Sequence, residues 1–227
     1  MVAISLPYSA AEALQEVRSL IDESTAGFWT DAEINNWVID GAVDISAKTL
    51  CYEHKNSIKL VASQLEYNDF VSAPASNGIA QVLEVYRCVY DDESNVYRSL
   101  QRIHPRQIGR LSNSTAGPPH YYYHFGGKIG LFPLPTATEI ALTDPVLVHC
   151  SLVADAITDL PNHYHQFAVV YAAAMARFKE RKNAKAVALY TKYINAMNFH
   201  RADIYDRPGD AKTDMQTPDI RVRAGGE

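Results

Sequence analysis

Basic residues are scarce in this 227-residue chain: 21 Lys plus Arg stand against 26 Asp plus Glu, for a formal charge of −5. A protein that wraps nucleic acid regardless of sequence needs many cations facing phosphates, so this balance argues against that class and leaves room only for a local basic patch. Cysteine is scarcer still. Cys51, Cys88 and Cys150 are odd in number and far apart, with no CxxC pair and no zinc spacing, which points to a reducing cytosol. No 18 apolar residues follow one another; the longest candidate is Phe167 to Met175, so no spanning helix is expected. The opening Met-Val-Ala-Ile-Ser-Leu-Pro has no basic n-region and no apolar run of signal-peptide length, and a soluble protein is expected. Also missing are a GxSxG elbow, an HExxH pair, an EF-hand loop and a complete phosphate loop.

What is present reads as globular: 47% hydrophobic and 21% charged residues. A chain of this length buries roughly 70% of its unfolded surface, enough to fold without disulfide or metal. A first helix is predicted over 9–22, with Ser9 as N-cap, Glu12 completing a capping box, and Ala10, Leu14, Val17, Leu20 and Ile21 on one face. A second, over 31–52, opens on Thr30-Asp31-Ala32-Glu33, with Trp29 and Ile34 placed as a hydrophobic staple. Its apolar face (Ile34, Trp37, Val38, Gly41, Ala42, Ile45, Thr49, Tyr52) carries Gly41 at mid-helix, a costly residue there unless another backbone approaches closely.

From 57 to 152 the period changes to two. Leu83, Val85, Arg87 and Val89 alternate with Glu84, Tyr86, Cys88 and Tyr90, and after a turn at 91–95 the chain runs back over 96–103. Tyr121 to Phe125 and Lys128 to Phe132 flank Gly126-Gly127, the spacing of a two-residue primed turn. With a closing strand through Val146, Val148, Cys150 and Leu152, the expectation is an antiparallel meander of about six strands, a small sandwich or open barrel. Helices resume over 161–181 and 184–204 as a helical hairpin, giving an α+β fold in which the terminal helices form a bundle. From Asp206 periodicity vanishes. Residues 1–205 read as one domain and 206–227 as an extended tail that orders on a partner. Its candidate partner-binding residues are Tyr205, Arg207, Met215, Ile220, Arg221 and Arg223.

Reactive constellations are weak. Cys51 and His54, three apart near a helix end, have the spacing of a thiol and its base, though a small buried thiol and a capping histidine fit equally. His163 and His165 would project about 200° apart on a helix, and His120 and His124 lie too far apart along a strand to share an ion. Gly126-Gly127-Lys128-Ile129-Gly130 lacks the Ser or Thr and the helix of a phosphate loop. Asp91-Asp92-Glu93 reads as a solvated turn. We therefore expect no catalysis, no cofactor and no metal. Arg177, Lys179, Arg181, Lys182 and Lys185 form the one basic cluster, a helix end that complements the macrodipole or a contact for DNA or an acidic protein. Fourteen tyrosines suit strand packing and surfaces that are wet at one time and buried at another.

The order of signals carries more than any site. Phe28-Trp29-Thr30-Asp31-Ala32-Glu33-Ile34-Asn35-Asn36-Trp37, then Pro118-Pro119-His120-Tyr121 through Leu131-Phe132-Pro133-Leu134-Pro135, then the Leu160-Pro161 hairpin with Tyr171-Ala172 through Lys192-Tyr193 resemble the head-to-tail adaptor (connector) proteins of tailed bacteriophages. The resemblance spans roughly residues 9–205. It implies a structural virion protein of the neck: a ring of twelve subunits beneath the portal, joining capsid to tail tube or nozzle protein, with a central channel for the genome. It implies no catalytic residues. Twelve copies at −5 each would carry −60, and an acidic channel lets DNA slide rather than stick. The competing readings are a stopper or tail-completion protein of the same neck, a DNA-binding regulator and a cytosolic hydrolase.

Overall fold

Local hydrogen bonds open the first two helices where the sequence places them. In a computed structural model describing residues 8–68, 81–92, 97–108, 116–143 and 145–206, with backbone alone at 140 and 201–206, α1 spans Ala10–Leu20. Its Ser9 Oγ accepts from the Glu12 N–H at 3.3 Å and Glu12 Oε2 accepts from the Ser9 N–H at 2.7 Å. The buried face is Ala13, Val17 and Ile21, whereas Ala10 and Leu20 are exposed. In place of the expected Ala10 and Leu20, the buried side takes in Ala13 and Arg18, the latter anchored at the start of α2. Arg18 Nε donates to Asp31 Oδ1 at 3.1 Å and Nη2 to the Trp29 carbonyl at 3.1 Å. Glu23 Oε1 gathers the N–H groups of Gly27, Phe28 and Trp29, which sets the chain at the mouth of α2 (Asp31–Thr49).

The α2 capping box forms, with Thr30 Oγ1 and Glu33 Oε2 each accepting the other residue's N–H at 3.2 Å. Trp29 and Ile34 are both buried in the same core. The helix stops three residues short of the expected end, where Leu50 turns left-handed at φ 52°. At Gly41 a Cβ would lie 3.2 Å from both Cα and O of Ala168, so a neighbouring backbone does pass there. That neighbour is α4 (Asn162–Lys179), rich in buried alanines (168, 172, 173, 174 and 176) that permit the close approach. Arg181 at φ 59° ends the turn into α5 (Asn183–Asp206), which packs back along α4. The α5 stripe is partly uncovered: Ala186, Tyr193 and Met197 are buried, but Val187 is 52% exposed.

Eight strands are described: β1 (Glu53–Ile58), β2 (Glu66–Tyr67), β3 (Val82–Asp91), β4 (Tyr97–Ser99), β5 (Gln101–Arg102), β6 (Tyr121–Phe125), β7 (Lys128–Phe132) and β8 (Val146–Leu152), with a short α3 (Ala137–Ile140) before the last. They form two open four-stranded sheets, β1-β8-β3-β4 and β2-β7-β6-β5. The β6–β7 hairpin turns as expected, with Gly126 and Gly127 at φ 61° and 76°, values that glycine adopts without strain. Of the return strand expected over 96–103, only β4 pairs with β3, and the later part is β5 in the other sheet; residues 93–96 lie outside the described ones.

Two features depart from a simple meander. β5 joins β6 in parallel, and β8, last in the chain, lies between β1 and β3. As the most apolar strand, alternating valines with Cys150 and Leu152, β8 gains most from partners on both edges. Register shifts in β3 between Val82 and Glu84 and between Val85 and Arg87 break the alternation, so that Val85 and then Cys88, Val89 and Tyr90 are buried.

The sheets share one core around Val85, Cys88, Tyr122, Ile129, Leu131, Val148 and Leu152, and the helices have another around Trp29, Ile34, Ile45, Ala168 and Tyr193. Tyr52 packs against both. The chain crosses between these bodies at residues 50–52 and again at 153–161. The crossing is pinned by hydrogen bonds from the Tyr86 hydroxyl to the Leu50 carbonyl (3.1 Å), from the Leu152 N–H to the Tyr52 carbonyl (2.9 Å) and from the Ala154 N–H to Ser46 Oγ (3.0 Å). The molecule is α+β, with helices at both ends of the chain and a waist between bundle and sandwich.

Candidate interaction surfaces

The thiols come first, since a nucleophilic cysteine must reach its thiolate. Cys88 and Cys150 sit in the sandwich core, where burial pushes the Cys88 thiol well up and Cys150 to about 11. Both behave as small apolar residues. Cys51 is half-buried at the waist and His54 lies on β1. Because α2 ends at Thr49, these two are not one helical turn apart, and the geometry that made them a candidate thiol–base pair is absent.

His165 is a fixed structural group. It is buried, its Nδ1 accepts from the Tyr8 N–H at 3.0 Å, and Nε2 lies 2.9 Å from the Leu160 carbonyl, so Nε2 carries the proton. His163 instead packs on the Tyr164 ring at 4.2 Å and the His200 ring at 5.7 Å, on the other side of α4. His124 lies on β6 and His120 just before it; burial and the nearby Arg102 lower the His124 pKa. Among the described residues no three His, Cys, Asp or Glu side chains come together as metal ligands. Asp92 faces Arg98 at 3.8 Å beside the β3–β4 turn, and Glu93 lies outside the described residues.

The basic cluster is largely spoken for. Arg177 is buried at 2% exposure, with Nη1 donating to Glu180 Oε2 and Nη2 to Asp22 Oδ2, both at 2.8 Å, so it clamps the end of α1 to α4. Lys179 donates to Glu33 and lies 4.9 Å from the Trp29 ring centroid and 5.6 Å from that of Trp37. The Lys179 and Thr30 hydrogen bonds hold the Glu33 carboxyl below its usual range. Lys182 reaches Glu180 at 3.2 Å. Of the five cations, Arg181 and Lys185 alone have no ion pair within the described residues, too few for a phosphate-tracking face.

Tyrosine serves packing more than surface. Of the thirteen whose side chains are described, six are buried (67, 90, 122, 123, 164 and 193) and only Tyr86 and Tyr97 are exposed. Tyr193 donates to Asp44 Oδ2, which Lys48 Nζ also meets at 2.6 Å; burial and Asp44 push its hydroxyl pKa strongly up. The most exposed large apolar groups are Phe199 (73%) on α5, Phe125 (71%) beside the β6–β7 turn and Phe28 before α2, with Val187 and Phe178 on the α4–α5 hairpin and Ile39 and Val43 within α2. Of the tail candidates, Tyr205 lies in the last turn of α5 with only its backbone described; Arg207, Met215, Ile220, Arg221 and Arg223 lie outside the described residues.

One feature had no signal in the sequence. At the waist a cavity of about 420 Å³ is lined by Cys51, Tyr52, Glu53, Asp159, Leu160, Pro161, His163 and Tyr164. These residues come from the two crossings and the start of α4, and only folding brings the crossings together.

A helical bundle and a β-sandwich, each with its own core, make this an α+β protein of two dissimilar bodies. The family model for SU10 adaptor protein matches residues 8–216, and the chain belongs to that family. It is thus a structural adaptor protein of a tailed bacteriophage, and membership implies a place in the virion neck among portal and tail components. The match runs ten residues beyond the end of α5 at Asp206. No curated protein matches the sequence. No described helix is long and apolar enough to cross a membrane.

Proposed function

We propose that this chain is the head-to-tail adaptor that forms a ring, twelve subunits in number, beneath the portal, joins capsid to tail, and leaves a channel for the genome. The observation that carries this reading is the adaptor-family match over nearly the whole chain. The two-body architecture supports it. A cyclic ring uses a heterologous interface, one surface of a subunit meeting a different surface of the next, and a bundle beside a sandwich supplies two such surfaces. Residues 1–205 act as the folded adaptor unit. The tail from 206 docks on the portal or a neighbouring subunit through Tyr205, Arg207, Met215, Ile220, Arg221 and Arg223, paying its ordering entropy there. Acidic residues line the channel, so DNA passes without specific binding; the internal pairing of Arg177, Lys179 and Lys182 agrees with this.

Electron imaging of the purified protein with and without its portal tests the reading. The expected result is a twelvefold ring bound to the portal, with carboxylates rather than Lys and Arg facing the lumen. Failure to bind portal, or a ring that binds only on top of a preassembled adaptor, would assign the chain another place in the neck.

A further inference from the structure

We propose that copies of this chain join edge to edge through their helical bundles, the acidic outer face of α1 on one copy lying against the basic outer face of α5 on the next.

The bundle has two unlike edges. α1 and α5 each pack on α2 and α4 and make no comparable contact with each other, so they are its two outer helices. From Ala10 to Glu23 the chain carries the acids Glu12, Glu16, Asp22 and Glu23 against Arg18 alone. Arg18 is buried and turned inward to Asp31 and the Trp29 carbonyl, so the solvent face of α1 is purely acidic. α5 is the reverse: from Asn183 to His200 it has Lys185 and Lys192 and no Asp or Glu. Glu12 and Glu16 are exposed one turn apart, and Lys185, Lys192 and Phe199 are exposed at seven-residue steps, which makes each set one stripe of its helix. Glu16, Lys185 and Lys192 have no ion pair within the described residues, so their charges are free for a neighbour. Each edge thus finds its complement on the opposite edge of the same molecule, which is what a repeating heterologous contact requires.

Helix direction sets the register. α1 runs parallel to α4, because the Tyr8 N–H donates to His165 Nδ1 near the start of both, and Arg177 reaches the Leu20 carbonyl and Asp22 near their ends. α5 packs back along α4, so α1 and α5 of one copy point in opposite directions. Neighbours in a twelvefold ring differ by a rotation of only about 30°, so α1 of one copy meets α5 of the next nearly antiparallel. With Glu16 opposite Lys192, Leu20 comes opposite the small Ala188 and Asp22 comes beside Lys185. The spacings agree: the helical rise from Glu16 to Asp22 is about 9 Å and that from Lys185 to Lys192 about 10.5 Å. Leu20, 36% exposed, and Phe199, 73% exposed, add apolar area at either end of the stripe. The inference rests on the ring proposed above and names its subunit contact.

Sedimentation velocity on the full chain, with and without its portal, gives the protein concentration at which half is assembled. Wild type is compared with Glu16→Lys, with Lys192→Glu and with a 1:1 mixture of the two variants, far-UV circular dichroism confirming the fold of each. Either reversal alone sets like charges face to face and should raise the half-assembly concentration about tenfold. The mixture restores opposite charges at every contact and should assemble as the wild type does. Raising salt from about 0.05 to 0.5 M should weaken wild-type assembly in the same sense. Reversals that leave assembly unchanged overturn the contact and leave the ring standing, whereas a wild-type chain that forms no ring with or without portal overturns both. As a second measurement, Glu16→Cys combined with Lys192→Cys is oxidised after assembly, with wild type as the control for Cys51. The two positions lie on opposite edges of one subunit, so a disulfide between them joins separate copies, and a ladder of covalent oligomers longer than two is expected. Assembled rings that yield no ladder refute the contact, and a ladder that stops at two assigns these helices to a two-fold dimer and refutes them as the ring contact.

Discussion

Gly41 offers the sharpest test of how the helical body is assembled. On propensity alone Gly41→Ala should stabilise α2 by about 1 kcal/mol. The added Cβ, however, would lie 3.1 Å from Tyr171 Cδ1 and 3.2 Å from both Cα and O of Ala168, inside ordinary contact by a few tenths of an ångström. Two of those three atoms are backbone and cannot rotate aside. Nor can α2 back away freely, because Ile34, Val38, Ala42 and Ile45 fix it in the same core. Overpacking of this kind costs about 1–3 kcal/mol, so the net effect of Gly41→Ala is a loss of about 1 kcal/mol. Gly41→Val adds two further carbons to the same gap and should lose about 3 kcal/mol, lowering Tm by about 2–4 °C per kcal/mol for a chain of this size. Both tryptophans, Trp29 and Trp37, belong to the helical body, so urea unfolding followed by tryptophan fluorescence reports on the affected part. Ala168→Gly should not rescue Gly41→Ala, since the Ala168 atoms struck are not its side chain. A gain of about 1 kcal/mol for Gly41→Ala would refute the close crossing.

Two other perturbations reach the sandwich. A Cβ at Gly130 would fall 2.0 Å from ring carbons of Tyr123, so Gly130→Ala must expel that ring and break the 2.8 Å hydrogen bond from its hydroxyl to Glu66; we expect a loss of about 3 kcal/mol, partly recovered by Tyr123→Leu, and unchanged stability would contradict the packing. Desolvation pushes the Tyr86 and Tyr123 hydroxyls up to about 12, from an ordinary value near 10 in the unfolded chain. The folded state favours their protonated form, so the stability they contribute is complete below pH 10 and is lost as pH rises from 10 to about 12. Tyr86 exposes its ring but donates its hydroxyl to the Leu50 carbonyl, whereas Tyr123 is buried outright. Absorbance at 295 nm should show these tyrosines ionising together with loss of circular dichroism, and full ionisation near pH 10 with native dichroism would count against the desolvation of their hydroxyls.

Much of the helical framework was legible because its signals close within three or four residues. Ser9 with Glu12 and Thr30 with Glu33 form reciprocal hydrogen bonds that need no distant partner. Gly126-Gly127 between two alternating runs names a turn whose positive φ values few other residues adopt. Even Gly41 could be read as a close approach, although the sequence did not say that Ala168 was the neighbour. The basic cluster shows the limit. Arg177, Lys179 and Lys182 look like a solvated patch in one dimension, but Asp22 and Glu33, about 150 residues away in the chain, are the partners of the first two. In β3 the bulge reverses which residues face inward, and strict alternation could not show it.

The sequence by itself determined the kind of element that most of the long stretches form, the absence of a reactive motif, and through the order of its aromatic, proline and capping signals a likeness to phage adaptors. Tertiary structure decided that β8 lies between β1 and β3, that two cores meet at Tyr52, and that the two crossings line a cavity whose His163 and Tyr164 pack on His200 of α5. Capping and turn formation are energies of neighbouring residues, whereas strand order, ion pairing and cavities are sums over contacts between residues that only the finished fold brings together.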